Sequence, residues 1–197
     1  MKYALSLTIV VFATAFLSVF ATSVVYDDRH DAIVSYLKNP FASNTLDFLT
    51  EDEQDHMTDV HRLFTIGYIL VVLALTCLFF GLWKKRITYK VFWRSGWACI
   101  TFCMVVSLFA MFSFSRFWTL FHKIFFPQGN WEFPAESVLI TLYPSMFFQG
   151  FVLHWLAIIG GYGVLALCLS LFARNMDEHA RLFTRKLHKK RKKKKRT

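Results

Sequence analysis

The stretch LFTIGYILVVLALTCLFFGLW, residues 63–83, decides the fold class of this chain. It contains no charged residue, and a helix that crosses the hydrocarbon core of a bilayer needs about 20 predominantly apolar residues. The segments 4–25, 95–115 and 151–173 are apolar over a similar length and are also free of charge. The sequence therefore predicts an all-α, polytopic membrane protein with four transmembrane helices.

The composition supports a lipid environment for much of the chain. Of the 197 residues, 55% are hydrophobic and 18% are charged, whereas soluble domains carry about 25% charged residues. The net charge of +10 lies in blocks between apolar segments, which excludes the basic face of a soluble nucleic-acid-binding fold. The first apolar segment, residues 4–25, is longer than the apolar core of a signal peptide, which has about 7–15 residues. We therefore expect an uncleaved transmembrane helix.

The distribution of Lys and Arg predicts the orientation in the membrane, because cytoplasmic loops retain these residues. Basic residues collect at Lys2, in the segment 83–94 and in the tail that begins at Arg174. Both termini are therefore expected in the cytoplasm. The loops 26–62 and 116–150 are then expected on the outer side.

The domain organisation is a single transmembrane domain over residues 1–175, followed by a basic cytoplasmic tail over residues 176–197. We expect the tail to be disordered and solvated beyond Leu187, because a block of like charges repels itself. The cysteines all lie inside predicted spans without a Cys-x-x-Cys pair, so neither a disulfide, a redox motif nor a cysteine zinc site is predicted.

Ionisable residues collect at the outer boundary of the second span, in EDEQDHMTDVHRLF, residues 51–64. If the helix begins early, His56 and Asp59 share a face at a spacing of three. Asp59 would then orient the imidazole of His56 and set its tautomer. His61 points to another face of the same helix.

The third span leads into FSRFWTLFHKIFFPQGNWEFP, residues 114–134, which brings Arg116 and His122 to the same outer boundary. Pro127 and Gly129 predict a turn, and the aromatic residues around them are typical of a membrane interface.

The next segment, residues 135–150, is apolar but too short to span, and we expect an interfacial or re-entrant helix broken near Pro144. Glu136 and Tyr143 are its polar points, and His154 lies about one turn inside the fourth span. Together these segments are predicted to cap the outer face.

Most of these residues also have ordinary interpretations. His61 is typical of a solvated or headgroup-contacting residue, and His154 of a hydrogen bond between helices. These ordinary interpretations do not explain why His56 and His122 lie at one depth in the membrane. Two neutral imidazoles allow one base and one acid, since their unperturbed pKa of about 6.5 lies near working pH.

Three stretches of the sequence resemble a known family. In order, EDEQDHMTDVHRLF, FHKIFFPQGNWEFP and ESVLITLYPSMFF are similar to the bacterial membrane family of the lipoprotein intramolecular transacylase Lit, over about residues 1–175. Such enzymes move the sn-2 acyl chain of a diacylglyceryl-modified lipoprotein to the α-amine of its lipid-bearing cysteine, which gives a lyso-form lipoprotein. The resemblance implies an acyltransferase of a Gram-positive cell membrane, with a lipoprotein substrate, membrane lipids as neighbours, and neither metal nor cofactor.

The resemblance implies His56 and His122 as the catalytic pair. The supporting or oxyanion-binding candidates are Asp59, Arg116, Tyr143 and Glu136, with the backbone amides around Gly129, and the substrate-binding candidates are His61, Trp131, Phe125 and His154.

Three alternatives stay open at this point. A b-type cytochrome would use His154 with His122 or His61 as haem ligands. A non-catalytic accessory subunit of a membrane complex would need no reactive histidine. Zinc would be held by His56, Asp59 and either His61 or His122.

Overall fold

The computed structural model describes residues 2–22, 27–43 and 46–194, and side chains over residues 2–18, 27–43 and 46–185. Within these residues the secondary structure is entirely helical, as predicted. The seven helices are α1 (Lys2–Thr22), α2 (Asp28–Lys38), α3 (Glu51–Trp83), α4 (Tyr89–Phe112), α5 (Phe114–Phe125), α6 (Val138–Leu142) and α7 (Ser145–Lys194).

Three of these helices, α3, α4 and α7, are long and apolar enough to cross a membrane. They contain the predicted second and fourth spans and, in α4, all but the last three residues of the predicted third span. Their outward faces carry exposed large apolar side chains such as Leu73, Phe79 and Leu153, as expected of helices that are apolar all round and face lipid. Helix α1 is also apolar, over Lys2–Ser18 of its described side chains. Residues 23–25 of the predicted first span lie outside the described residues.

Close packing in the transmembrane part depends on small and aromatic residues. A Cβ added at Gly163 of α7 would lie 3.0 Å from Cys99 Cβ of α4, so this glycine permits the close approach of the two helices. The buried Ile159 packs with Ala15 of α1. The indole of Trp155 donates a hydrogen bond to the carbonyl of Phe12, 3.2 Å away.

Helix α3 extends well beyond the bilayer. Its 33 residues measure about 50 Å at 1.5 Å per residue, against a hydrocarbon core of about 30 Å. The apolar segment 63–83 accounts for the spanning part. The polar first turns, residues 51–62, therefore project from the membrane and belong to the predicted cap.

Helix α2 lies inside the predicted outer loop 26–62, where the sequence analysis placed no helix. Asp27 caps its N-terminus by accepting from the backbone N–H of Arg29. One face is buried, with His30, Ile33, Val34 and Leu37 at helical spacing. This face packs in the apolar cluster that also contains residues of α3 and α6.

The predicted third span ends earlier than expected. Ser113 has extended backbone angles (φ −166°, ψ 99°), so α4 ends and α5 begins there. Its hydroxyl accepts from the backbone N–H of Arg116, which makes Ser113 the N-cap of α5. The break turns α5 into a separate helix that carries His122.

Two further expectations, the helix break near Pro144 and the disordered basic tail, have different outcomes. The predicted break near Pro144 is confirmed, because α6 ends at Leu142 and α7 begins at Ser145. The expectation of disorder beyond Leu187 is wrong, because α7 continues to Lys194. Lys and Arg are good helix formers, and the tail extends a helix that already exists. Residues 195–197 lie outside the described residues.

Candidate active site

The projecting end of α3 presents His56 on a buried face. Thr50 caps the helix by a reciprocal capping box, in which the Thr50 hydroxyl accepts from the Glu53 backbone N–H and the Glu53 carboxylate accepts from the Thr50 backbone N–H. His56 follows Glu53 by three residues and therefore lies on the same face. Both side chains are buried, with exposed fractions of 1% for Glu53 and 8% for His56.

Helix α5 supplies the second imidazole. His122 has an exposed fraction of 6%, and its Nδ1 lies 2.9 Å from the backbone oxygen of Trp118. A carbonyl oxygen only accepts, so Nδ1 carries the proton and donates, and Nε2 is left with a lone pair. This contact, one helical turn back, sets both the tautomer and the orientation of the ring.

The two imidazoles lie together in an aromatic enclosure. Their ring centroids are 6.2 Å apart and the rings are nearly parallel, at 23°. Phe126 and Phe133 pack edge-on to His56, at 4.9 and 5.5 Å. Trp131 covers His122 with ring centroids 4.7 Å apart. The structure thus brings together the two histidines that the sequence analysis paired.

The enclosure favours the uncharged form of both rings. Burial, with a smaller contribution from the nearby charge of His122, lowers the pKa of His56 from 6.5 to about 4. Burial also lowers the pKa of His122, and the Trp118 carbonyl offsets part of this effect. At neutral pH both imidazoles are therefore neutral and able to accept a proton.

Asp59 contacts the loop between α5 and α6. Its Oδ1 pairs with Nη1 of Arg62 at 2.8 Å, and its Oδ2 accepts from the side-chain amides of Gln128 and Asn130, the latter at 3.0 Å. Gly129 between these amides has a positive φ of 85°, which glycine adopts without strain. Its position allows both neighbouring amides to reach one carboxylate oxygen.

Asn130 stands between Asp59 and His56. Among the side chains that the structure describes, Nδ1 of His56 and Oδ1 of Asn130 are buried without a hydrogen-bond partner at ordinary distance. The charge of Asp59 raises the pKa of His56 and the Asn130 side chain raises it further, against the larger effects of burial and of the nearby charge of His122. Asp59 thus acts on His56 through its charge and also holds the amide of Asn130.

Glu53 binds the far end of the segment that connects α5 to α6. Its Oε2 accepts from the backbone N–H of Thr50 at 2.9 Å, and its Oε1 accepts from the backbone N–H of Leu139 in α6 at 3.0 Å. Burial alone would raise the pKa of Glu53, but these hydrogen bonds outweigh it and lower the pKa. The carboxylate therefore stays charged and ties α6 to α3.

The three remaining supporting candidates lie apart from the imidazoles. Tyr143 is buried, but its hydroxyl is hydrogen-bonded to Nδ1 of His30 at 2.9 Å. Arg116 is exposed and precedes His122 by six residues, which places it on another face of α5. Glu136 is exposed on the loop before α6.

Of the substrate-binding candidates, one contacts the histidine pair and the others contact different residues or are exposed. Trp131 covers His122, as described above. Phe125 is 48% exposed and packs against Phe121 with the two rings tilted, at 4.9 Å between centroids. His61 bonds to the Asn39 carbonyl at 2.8 Å and so fastens the end of α2, whereas His154 is exposed on α7.

Sequence reasoning missed three residues of this region, Glu53, Asn130 and His30. The Thr-x-x-Glu pattern at residues 50–53 is a capping-box signal that predicts the start of α3. No local pattern predicts that Asn130 reaches α3 or that His30 reaches α6, because both contacts join distant segments. In the described residues no group of three or more His, Cys, Asp or Glu is arranged to hold a metal ion.

The fold and this site define a helical membrane protein with a buried histidine pair at one end of its spanning helices. The family model of the lipoprotein intramolecular transacylase Lit matches residues 21–148, more than half of the chain. The chain therefore belongs to this family. Its function is intramolecular acyl transfer within lipoproteins, and it is an acyltransferase.

The fold is also similar to solved structures. The membrane integral lipoprotein intramolecular transacylase Lit from Bacillus cereus superposes with a TM-score of 0.80 and 19% identity, over 90% of this chain and 95% of that one. A variant of that protein with a histidine replaced by arginine gives a TM-score of 0.70 and 20% identity, over 91% and 92% of the two chains. At this identity the likeness shows the fold alone. A search of the curated proteins finds no match.

Proposed function

We propose that His56 and His122 are the proton-transfer pair of this acyltransferase. The main observation in support is that two buried imidazoles from distant segments lie with their ring centroids 6.2 Å apart and their planes nearly parallel. The proposed reaction moves the sn-2 acyl chain of a diacylglyceryl cysteine to the α-amino group of that cysteine. The ester and the amine belong to one substrate molecule, so the enzyme needs proton management more than a nucleophile of its own.

The proposed steps balance with two bases. One neutral imidazole takes a proton from the α-ammonium, and the free amine then attacks the sn-2 carbonyl carbon. The nitrogen of the resulting tetrahedral adduct loses a second proton to the other imidazole. The bond from carbon to the glyceryl oxygen then breaks, one imidazolium protonates that oxygen, and one proton leaves to solvent. Holding amine and ester together supplies up to about 7–11 kcal/mol in the best intramolecular cases.

The tautomer of His122 supports its assignment as a proton acceptor. The Trp118 carbonyl holds the proton on Nδ1, so Nε2 presents its lone pair. The carbonyl also stabilises the imidazolium after Nε2 has accepted a proton. Which imidazole acts first does not follow from this contact.

The enclosure suits a lipid substrate. Aromatic rings from residues 118–133 surround both histidines, and the adjacent Phe125 and Ile124 expose apolar surface. Both imidazoles are more than nine-tenths covered, so a substrate reaches them only when a covering side chain such as Trp131 moves.

The proposed orientation places this site at the outer leaflet and both termini in the cytoplasm. Residues 84–88 follow the far end of α3, opposite to His56, and contain Lys84, Lys85 and Arg86. Lys90, Arg94 and Arg174 line a groove between α4 and α7 at the same end. This separation of basic residues from the histidine pair supports the orientation by the positive-inside rule.

The test is mass spectrometry of the N-terminal lipopeptide from a defined diacylglyceryl lipoprotein. The wild-type protein is compared with His56→Gln, His122→Gln and, as a matched control, His179→Gln, which changes an exposed histidine of α7. We expect the wild type and the control to place an acyl chain on the α-amine at unchanged total mass, and either pair variant to lose this product. Full activity of both pair variants would overturn the proposal.

A further inference from the structure

We infer that Asn130 is a positioning residue that, held by Asp59, keeps the proton of His56 on Nδ1 and leaves Nε2 as the proton-accepting atom. This inference rests on the proposed function, because it concerns a member of the histidine pair.

The first step concerns the orientation of the Asn130 amide. An ionised carboxylate offers only acceptor sites, and Asp59 is paired with Arg62. The atom of Asn130 at 3.0 Å from Asp59 Oδ2 must therefore be its amino nitrogen, which donates. A rotation of the amide by half a turn would bring two oxygens together. The carbonyl oxygen of Asn130 is thus forced to face away from Asp59.

The second step concerns the two atoms that remain unpaired. Oδ1 of Asn130 and Nδ1 of His56 are both buried and, among the described side chains, have no hydrogen-bond partner at ordinary distance. Buried polar atoms that lack a partner are rare and destabilising. The Asn130 side chain already acts on His56 as a hydrogen-bonding neighbour, so a small closing movement would pair the two atoms. Since Oδ1 can only accept, His56 Nδ1 must be the donor.

The third step compares the two histidines. A backbone carbonyl holds the proton of His122 on Nδ1, and the amide carbonyl of Asn130 does the same for His56. Both rings then present Nε2 with a lone pair. A pair prepared in this way accepts the two protons that the amine must lose, and one of the rings returns a proton to the glyceryl oxygen.

The experiment reads the tautomer directly. Protein labelled with ¹⁵N-histidine is studied by NMR in detergent micelles at pH 7, and the His56 signals are those absent from the His56→Gln spectrum. We expect the wild-type His56 to be protonated on Nδ1. Asn130→Leu should abolish this preference. The matched control is Gln128→Leu, because Gln128 donates to the same oxygen of Asp59, and this variant should keep the wild-type tautomer.

A second variant keeps the test informative if Asn130→Leu does not fold. Asp59→Asn frees the Asn130 amide to rotate, so it should give mixed tautomers. The turnover number should fall about 10- to 100-fold in Asn130→Leu, the effect known for hydrogen-bond partners that orient metal-ligating histidines, with little change in KM.

The outcomes separate this inference from the proposed function. A wild-type His56 protonated on Nε2, or an Asn130→Leu protein with an unchanged tautomer, would overturn the inference and leave the histidine pair untouched. Full transacylase activity of His56→Gln would instead remove the proposed function, whatever tautomer His56 adopts.

Discussion

The burial of His56 predicts a specific acid sensitivity of the folded protein. Its pKa is lowered from 6.5 to about 4, which corresponds to about 3 kcal/mol at 1.36 kcal/mol per pKa unit. Between these two pH values the unfolded chain binds a proton that the folded chain does not. The contribution to folding stability is therefore fully present above pH 6.5 and is lost as the pH falls towards 4.

The assay is the free energy of unfolding of the wild type and of His56→Gln in detergent micelles, measured at several pH values from 7.5 to 4. Glutamine does not titrate, so groups common to both proteins cancel in the difference. We expect the advantage of the wild type over the variant to shrink by about 3 kcal/mol across this range. His179→Gln is the control and should follow the wild-type curve. Parallel curves for the wild type and His56→Gln would refute the reasoning.

Three further predictions concern helix packing and the cap around the histidine pair. Glu53→Gln should lower the free energy of unfolding by about 1.5–3 kcal/mol, the usual effect of hydrogen bonds to a charged group; an unchanged value would mean that the carboxylate does not fasten α6. Gly163→Val should cost about 1–3 kcal/mol by overpacking, whereas Gly161→Ala, with nothing within 4 Å of the added Cβ, should not, and equal effects would contradict the packing. Tyr143→Phe should cost about 1 kcal/mol through its lost bond to His30, and its transacylase rate should stay well above that of the histidine variants, since an equal loss of rate would return Tyr143 to an oxyanion role.

The spanning helices were predictable because the bilayer imposes one simple requirement. A chain inside hydrocarbon must satisfy its own backbone and present apolar side chains, and residues 63–83 show this locally. The end of the third span was harder to predict from the sequence. Apolar residues continue past Ser113, and the break there depends on a single extended residue whose hydroxyl caps the next helix. Hydropathy averages over such a residue and does not detect it.

The cap around the histidine pair was predictable only in part, for a related reason. The depth of His56 and His122 follows from the spans to which their segments are joined, so the pair could be predicted. The contacts that hold the pair join segments far apart in sequence, such as Asp59 with Asn130, and no periodicity encodes them. Helix α2 is an intermediate case, because its buried positions do repeat at helical spacing, but acidic residues around it resemble a solvated loop.

The spacing of three residues along α3 explains how the pair keeps its geometry. Glu53 and Asp59 each lie three residues from His56, on opposite sides of it, so His56 stands between the two carboxylates around the helix surface. Glu53 holds the backbone of Leu139, and Asp59 holds the amides at the start of the same connection between α5 and α6. The two carboxylates thus anchor this connection on either side of His56. Since α5 is separated from its span by the break at Ser113, these anchors and the apolar packing around them set the distance between the two imidazoles.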